Sequence, residues 1–383
     1  MQKVHVLSGI DRIDTVSSLL DHKRIGLMTN PTGVSHDLRS TIDILNEHFH
    51  LRALYAVEHG LRGDEQAGES VQDQTDAETG VPVYSTYGKK AAGIDALLES
   101  VDAVVFDIQD VGARFYTYLY SLADMMEACA RTGRSLIVLD RINPLGGSIR
   151  CGTILDEHFA SFVGRYALPT QYGMTIGEYA QYVKAYRHLE VDLHIAGLTG
   201  WQRSCRLDET DLPWVAPSPN CADLATALCY IGTCIFEGTN ISEGRGTTQP
   251  FQVIGAPFLD GVGLEREMNE MGLPGVHFRR TSFRPTFSKY KGELCHGVQM
   301  HVLNRDAMDA FSCGIHLLDA MRRQAGDAFQ FLSLPDRDEY FIDHLLGTDL
   351  YRCGKLDADG MVDAFRPGVE NFGQIIRPYL LYE

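Results

Sequence analysis

Residues 24–63, RIGLMTNPTGVSHDLRSTIDILNEHFHLRALYAVEHGLRG, decide the architecture. An apolar run at 24–29 leads into the turn Thr29-Asn30-Pro31-Thr32-Gly33, an amphipathic stretch follows at 41–48, and a second apolar run at 52–57 ends in Glu58-His59-Gly60. Short apolar runs alternating with amphipathic helices are the pattern of a parallel sheet covered by helices. Outward from this unit the alternation continues, with strands at 103–107 and 136–139 and helices at 94–100 and 119–131. A fifth unit follows, a helix at 175–189 that opens on Thr-Ile-Gly-Glu, the chemistry of an N-cap and first turn, then a strand at 192–196. The first half therefore reads as a doubly wound α/β domain.

A proline-bearing loop at 214–220 precedes a helix at 222–235, and beyond residue 256 the pattern becomes mixed. It reads as a helix at 264–271, strands at 276–280 and 298–302, and helices at 307–325 and 339–346. A chain of 383 residues exceeds what one hydrophobic core usually supports. Two domains are expected: 1–255, carrying the parallel sheet, and 256–383, a smaller α+β auxiliary domain.

Composition narrows the function. Hydrophobic residues at 44% and charged residues at 22% are ordinary for a folded globular chain. A net charge of -17 without a basic cluster repels polyanions, so nucleic acid is not an expected partner. Nine cysteines without a CxxC pair suit reduced thiols, the N-terminus lacks an export-signal pattern, and no apolar stretch reaches the roughly 18 residues of a membrane span. A cytoplasmic protein that does not enter membranes is expected.

In an open parallel sheet, ligands bind beyond the carboxyl ends of the strands. Those ends are polar here: Thr29-Asn30, Glu58-His59-Gly60-Leu61-Arg62-Gly63, Asp107-Ile108-Gln109-Asp110 and Asp140-Arg141-Ile142-Asn143. Asp110, Asn143 and Thr32 are equally well read as backbone caps, whereas Glu58 is a poor cap beside two glycines. A second constellation, FEGTNISEGRGTT at 236–248, interleaves glycines with acids and an arginine in the manner of a binding loop, although a solvated Glu243–Arg245 pair explains it too. P-loop, GxGxxG, HExxH and GxSxG patterns are absent, which disfavours nucleotide binding, zincin chemistry and a nucleophile elbow. Glu58, His59, Asp64, Asp107 and Asp110 could gather around a metal ion, but their spacing is not diagnostic.

Several long phrases resemble the exo-β-N-acetylmuramidase family: GLMTNPTGV at 26–34, EHGLRGDEQAGE at 58–69, FDIQDVGARFYTY at 106–118, DRINPLGG at 140–147, YGMTIGEY at 172–179 and FEGTNISEGRGTTQP at 236–250. With a C-terminal phrase at 366–382, the resemblance spans the chain. It implies a Rossmann-like domain, an auxiliary domain, a sugar cleft between them, and release of N-acetylmuramic acid from the non-reducing end. It implies Glu58, of the EHG motif, as the leading catalytic group. Glycoside hydrolysis needs a proton donor and usually a second carboxylate, for which Glu243 and Asp107 are candidates, unless the 2-acetamido group of the sugar serves. Arg245, then Arg62, Arg114 and Arg141, are candidates to hold the lactyl carboxylate. Asn30, His59, Gln109, Tyr116 and Asn240 are further candidate substrate contacts on the same loops. The expected partner is a small muropeptide or disaccharide, with no cofactor and no metal. A non-catalytic muropeptide-binding protein and a metal-dependent hydrolase stay open as alternatives.

Overall fold

The computed structural model describes residues 3–58, 60–62, 73–335 and 337–383. In chain order the strands are β1 (Arg24–Thr29), β2 (His50–Ala56), β3 (Gln74–Thr75), β4 (Pro82–Ser85), β5 (Ala103–Asp107), β6 (Ser135–Leu139), β7 (Cys151–Ile154), β8 (Pro169–Gln171), β9 (Asp192–Ala196), β10 (Val253–Ala256), β11 (Val276–Phe283) and β12 (Cys295–Val302). The helices are α1 (Ser17–Leu20), α2 (Thr41–His48), α3 (Ala91–Leu97), α4 (Tyr118–Thr132), α5 (Ile176–Tyr186), α6 (Leu224–Thr233), α7 (Gly261–Glu270), α8 (Ala310–Ala325), α9 (Phe341–Leu346) and α10 (Ala358–Ile375).

Seven strands form one sheet in the order β3-β4-β2-β1-β5-β6-β9, parallel throughout except for the edge pair β3–β4. The pleat divides the apolar runs between two cores. Ala53, Tyr55, Val104, Phe106, Leu136 and Val138 face α4 and α5, whereas Leu54, Ala56, Val105, Ile137 and Leu139 face Ile42 and Leu45 of α2 and the N-terminal turns. Burial on both faces is why these strands read as unbroken apolar runs, each fully buried aliphatic or aromatic side chain contributing ~1.5–3 kcal/mol. Thr175 and Glu178 form the reciprocal capping box that starts α5.

The second sheet is antiparallel, β10-β12-β11, and the pair β7–β8 stands apart. Helices α6 and α8 cross at backbone contact: a Cβ on Gly232 would lie 1.9 Å from the Ala310 carbonyl oxygen, and one on Gly314 2.0 Å from that of Gly232. The core under α4 and α5 continues without a break through this crossing into the second sheet. The chain end returns to the first sheet, where the Tyr382 hydroxyl donates to Asp140 at 2.5 Å and the Leu381 amide donates to Glu178 at 2.8 Å.

The topological switch point, between the carboxyl ends of β1 and β5, is filled. Residues Leu212, Pro213, Trp214 and Val215 cover it together with Ser8 and Leu207, and a cavity of only about 30 Å³ remains. The open crevice lies one strand further along, at the end of β2.

Candidate active site

Glu58 follows β2 directly and is 8% exposed. Gly60, at φ 76, turns the chain back so that its amide donates to the Val57 carbonyl at 3.0 Å, a conformation that a side chain would strain. Thr117 Oγ1 donates to Glu58 Oε2 at 2.6 Å and Tyr87 Oη donates to Oε1 at 3.2 Å. Burial first, and then the Glu58 carboxylate, push the Tyr87 hydroxyl up to about 12, so it stays a donor.

The carboxyl borders a cavity of about 270 Å³. One wall is aromatic. Tyr116 packs edge-on against Tyr118 at 5.0 Å and against Tyr230 at 5.9 Å, and Tyr230 packs edge-on against Phe251 at 4.7 Å. Ser218, Asn220 and Cys221, after the proline-bearing loop, close another side, and Phe162 and Phe341 form the rim.

Glu237 and Arg245 complete the lining. Arg245 donates to Glu237 Oε1 from Nη2 at 2.7 Å and from Nε at 3.2 Å, and its guanidinium lies 5.0 Å from the centre of the Phe251 ring. Burial disfavours its charge, but the charge of Glu237 and its hydrogen bond outweigh that and hold Arg245 above its ordinary value. Behind it Glu243, 2% exposed, accepts from Lys289 Nζ at 2.9 Å and lies 3.5 Å from Arg245. Lys289 also donates to the carbonyls of Phe236 and Ile241, so Glu243 anchors the loop and does not line the cavity. The cavity thus combines one cation with two carboxylates among its described lining residues, an arrangement that can hold an anionic group and donate a proton.

Of the residues named from sequence, Glu58, Tyr116 and Arg245 line this cavity. Asp107 does not: it is fully buried at the switch point, where Arg141 donates to both its oxygens at 2.5 and 2.8 Å and Thr41 donates at 2.5 Å. Arg141 is accordingly committed to Asp107 and to the Val34 carbonyl. Asn30 accepts from the Thr32 amide and hydroxyl, and Gln109 donates to the carbonyls of Asp110 and Ile142. Arg114 is fully buried and donates to the carbonyls of Thr153, Leu168 and Leu345, tying β7, β8 and α9 together. Asn240 bridges to the Ala328 carbonyl and the Gln330 amide. Arg62 pairs with Asp76 at 2.7 Å and Glu78 at 3.1 Å. His59 and Asp64 lie outside the described residues.

The family model described as "Exo-beta-N-acetylmuramidase NamZ, N-terminal" matches residues 25–225, and its C-terminal counterpart matches residues 228–382. The chain belongs to the exo-β-N-acetylmuramidase family. The peptidoglycan β-N-acetylmuramidase NamZ of Bacillus subtilis (strain 168) is 43% identical over 384 residues, covering 100% of this chain and 92% of the relative. Two crystal structures of DUF1343 family proteins from Bacteroides fragilis NCTC 9343 are similar. One is 32% identical with a TM-score of 0.90 over 100% of both chains, and the other is 31% identical with a TM-score of 0.78 over 99% of both. The α/β fold expected from sequence is thereby shared with two solved DUF1343 family proteins.

Glu237, Tyr87 and Thr117 escaped the sequence reading as site residues of this exo-β-N-acetylmuramidase family member. Glu237 and Thr117 lie inside the family phrases at 236–250 and 106–118, whereas Tyr87 follows β4, a strand of four residues too short to carry a signal. Among the described residues, the acid and imidazole groups close enough to share a cation are His5, His36 and Asp211, which do not line the cavity. No described helix is long and apolar enough to cross a membrane.

Proposed function

We propose that this protein is an exo-acting glycoside hydrolase that releases terminal N-acetylmuramic acid from the non-reducing end of peptidoglycan fragments. Family membership supports the reaction class, and one observation supports its location: Glu58, held by two hydroxyl donors, lines the same cavity as Arg245. In this reading Glu58 is the general acid that protonates the departing glycosidic oxygen. Arg245 receives the lactyl carboxylate, the group that separates muramic acid from glucosamine, because a planar guanidinium matches a carboxylate bidentately.

Glu237 is the second carboxylate of the cavity, and it keeps Arg245 aimed while no substrate is bound. Asp107 and Glu243 act from behind as ion-pair holders. The acetamido oxygen of the sugar is available as an internal nucleophile, an arrangement known among glycosidases acting on 2-acetamido sugars. Nine free cysteines, most of them buried, suit a reducing compartment, so we place the enzyme in the cytoplasm, acting on small muropeptides or disaccharides.

The test is end-group release. Incubated with a muramic acid–glucosamine disaccharide, the protein should liberate N-acetylmuramic acid one unit at a time from the non-reducing end. Binding of the disaccharide without turnover would identify a sugar-binding protein, and turnover abolished by a chelator would identify a metal-dependent hydrolase. Recovery of native protein from a periplasmic or secreted fraction would overturn the cytoplasmic placement.

A further inference from the structure

A second cavity, of about 380 Å³, adjoins the first. The two share Tyr87, Thr117 and Phe162 as lining residues. Tyr87 and Thr117 are also the residues whose hydroxyls hold the two oxygens of Glu58. Glu58 itself lines only the first cavity, so a ligand that extended from there past the shared residues into the second would carry the bond between its two parts near the Glu58 carboxyl.

Phe162 stands at the common rim. It is 54% exposed, a large apolar surface left in water on the turn in which Ser161 pairs with Gly164. Its ring is not loose: it stacks on Phe341 with centroids 6.0 Å apart and planes 9° from parallel. A braced, half-exposed aromatic face at a cavity mouth suits the apolar C–H face of a pyranose ring. Within the second cavity, Arg165 pairs with Asp124, Nη2 to Oδ2 at 2.9 Å, and lies 5.5 Å from the centre of the Tyr120 ring. Lys89 and Ser121 add hydrogen-bond donors beside this pair. This lining combines an apolar platform with polar groups that match hydroxyls and an amide.

We propose that the second cavity is the leaving-group subsite and that it takes the pyranose amino sugar attached to the muramic acid, with Phe162 as its stacking platform. The proposal rests on the reading of Glu58 as the acid and adds which side of it the leaving sugar occupies. Muramic acid then fills the first cavity with its carboxylate toward Arg245, and the adjoining sugar lies over Phe162.

The test compares Phe162→Ala with the parent enzyme on two substrates. One is the muramic acid–glucosamine disaccharide, and the other is the glycosyl fluoride of N-acetylmuramic acid, whose leaving group has no ring. Loss of an aromatic platform should lower kcat/KM on the disaccharide, mostly through KM, by about tenfold more than on the fluoride. Phe162→Trp should restore the disaccharide rate. An equal loss on both substrates, no loss on either, or a loss seen only when a stem peptide is attached would overturn the assignment. Failure of the parent enzyme to turn over the disaccharide would instead remove the reading of the cleavage site itself, so the two failures are distinguishable.

Discussion

Thr117 occupies the N-cap position of α4 yet gives its hydroxyl to Glu58, 2.6 Å away, and not to the helix backbone. A residue type that usually stabilises a helix start is used here to orient a carboxyl group at a cavity edge.

Replacing it therefore separates the two uses. A typical intramolecular hydrogen bond is worth ~0.5–1.5 kcal/mol. Thr117→Val should accordingly lower kcat by about 2–10-fold, while the melting temperature stays within about 2 °C because no capping bond is lost. Steady-state kinetics with a thermal melt checks both. A large drop in melting temperature at unchanged kcat would mean that the hydroxyl serves the helix.

Arg245→Lys keeps the charge beside Glu237 and removes the planar fork. Muramide turnover should fall by at least about tenfold, and discrimination against the corresponding glucosaminide should shrink by a similar factor. The lysine variant is preferred to alanine because truncation would strand Glu237 without a partner. Unchanged discrimination would show that another group reads the lactyl carboxylate.

Asp107→Asn should act on stability. It leaves Arg141, whose side chain is 9% exposed, without its counter-ion, a loss expected at about 3–5 kcal/mol. Urea denaturation gives the size of the effect, and the folded fraction should retain near-normal specific activity. A stable but inactive variant would return Asp107 to the catalytic role expected from sequence.

The N-terminal segment supplies a pH test. His36 is held above its ordinary value first by Asp211, whose Oδ2 lies 3.1 Å from Nε2, with burial opposing. Burial alone would raise Asp211, but hydrogen bonds from His5, the Val6 amide and His36 outweigh it and hold the group low. The raised imidazole contributes stability below its unfolded value near about 6.5 and loses it as pH rises through the folded value. The lowered carboxyl contributes above about 4 and loses it on acidification. The melting-temperature advantage of the parent over His36→Asn should thus be largest near pH 5.5 and shrink by pH 9. An advantage that grows toward alkaline pH would reverse the sign of this linkage.

Strands β1, β5 and β9 and helix α2 span the residues read from sequence; two-sided burial leaves an apolar run in β1 and β5, and one buried face sets the helical pattern of α2. The edge strand β3 and its neighbour β4 are only two and four residues long and gave no such signal. Helix α10 carries Pro367 in its interior, a residue that ordinarily reads as a stop. The site was legible in part for a related reason. A polar residue after a strand announces a loop, but not whether its side chain turns to a cavity, as Glu58 does, or to backbone, as Asn30 and Gln109 do. Arg114 shows the limit most clearly, since a buried guanidinium holding three carbonyls looks the same in sequence as one waiting for a carboxylate. The filling of the switch point by residues 212–215 depends on contacts distant in sequence, and it moves the cavity from the end of β1 to the end of β2.

The central claim is that Glu58 donates the proton to the departing sugar, and the most direct measurement is kcat for Glu58→Gln on two substrates that differ in leaving group. General acid catalysis typically supplies about 10²–10⁴ in rate. On the disaccharide, with its poor leaving group, kcat should fall by that order at an unchanged melting temperature, whereas on the glycosyl fluoride of N-acetylmuramic acid, which needs no proton to depart, most of the rate should survive. A folded Glu58→Gln variant that keeps near-full kcat on the disaccharide, or that loses both rates equally, would contradict the assignment.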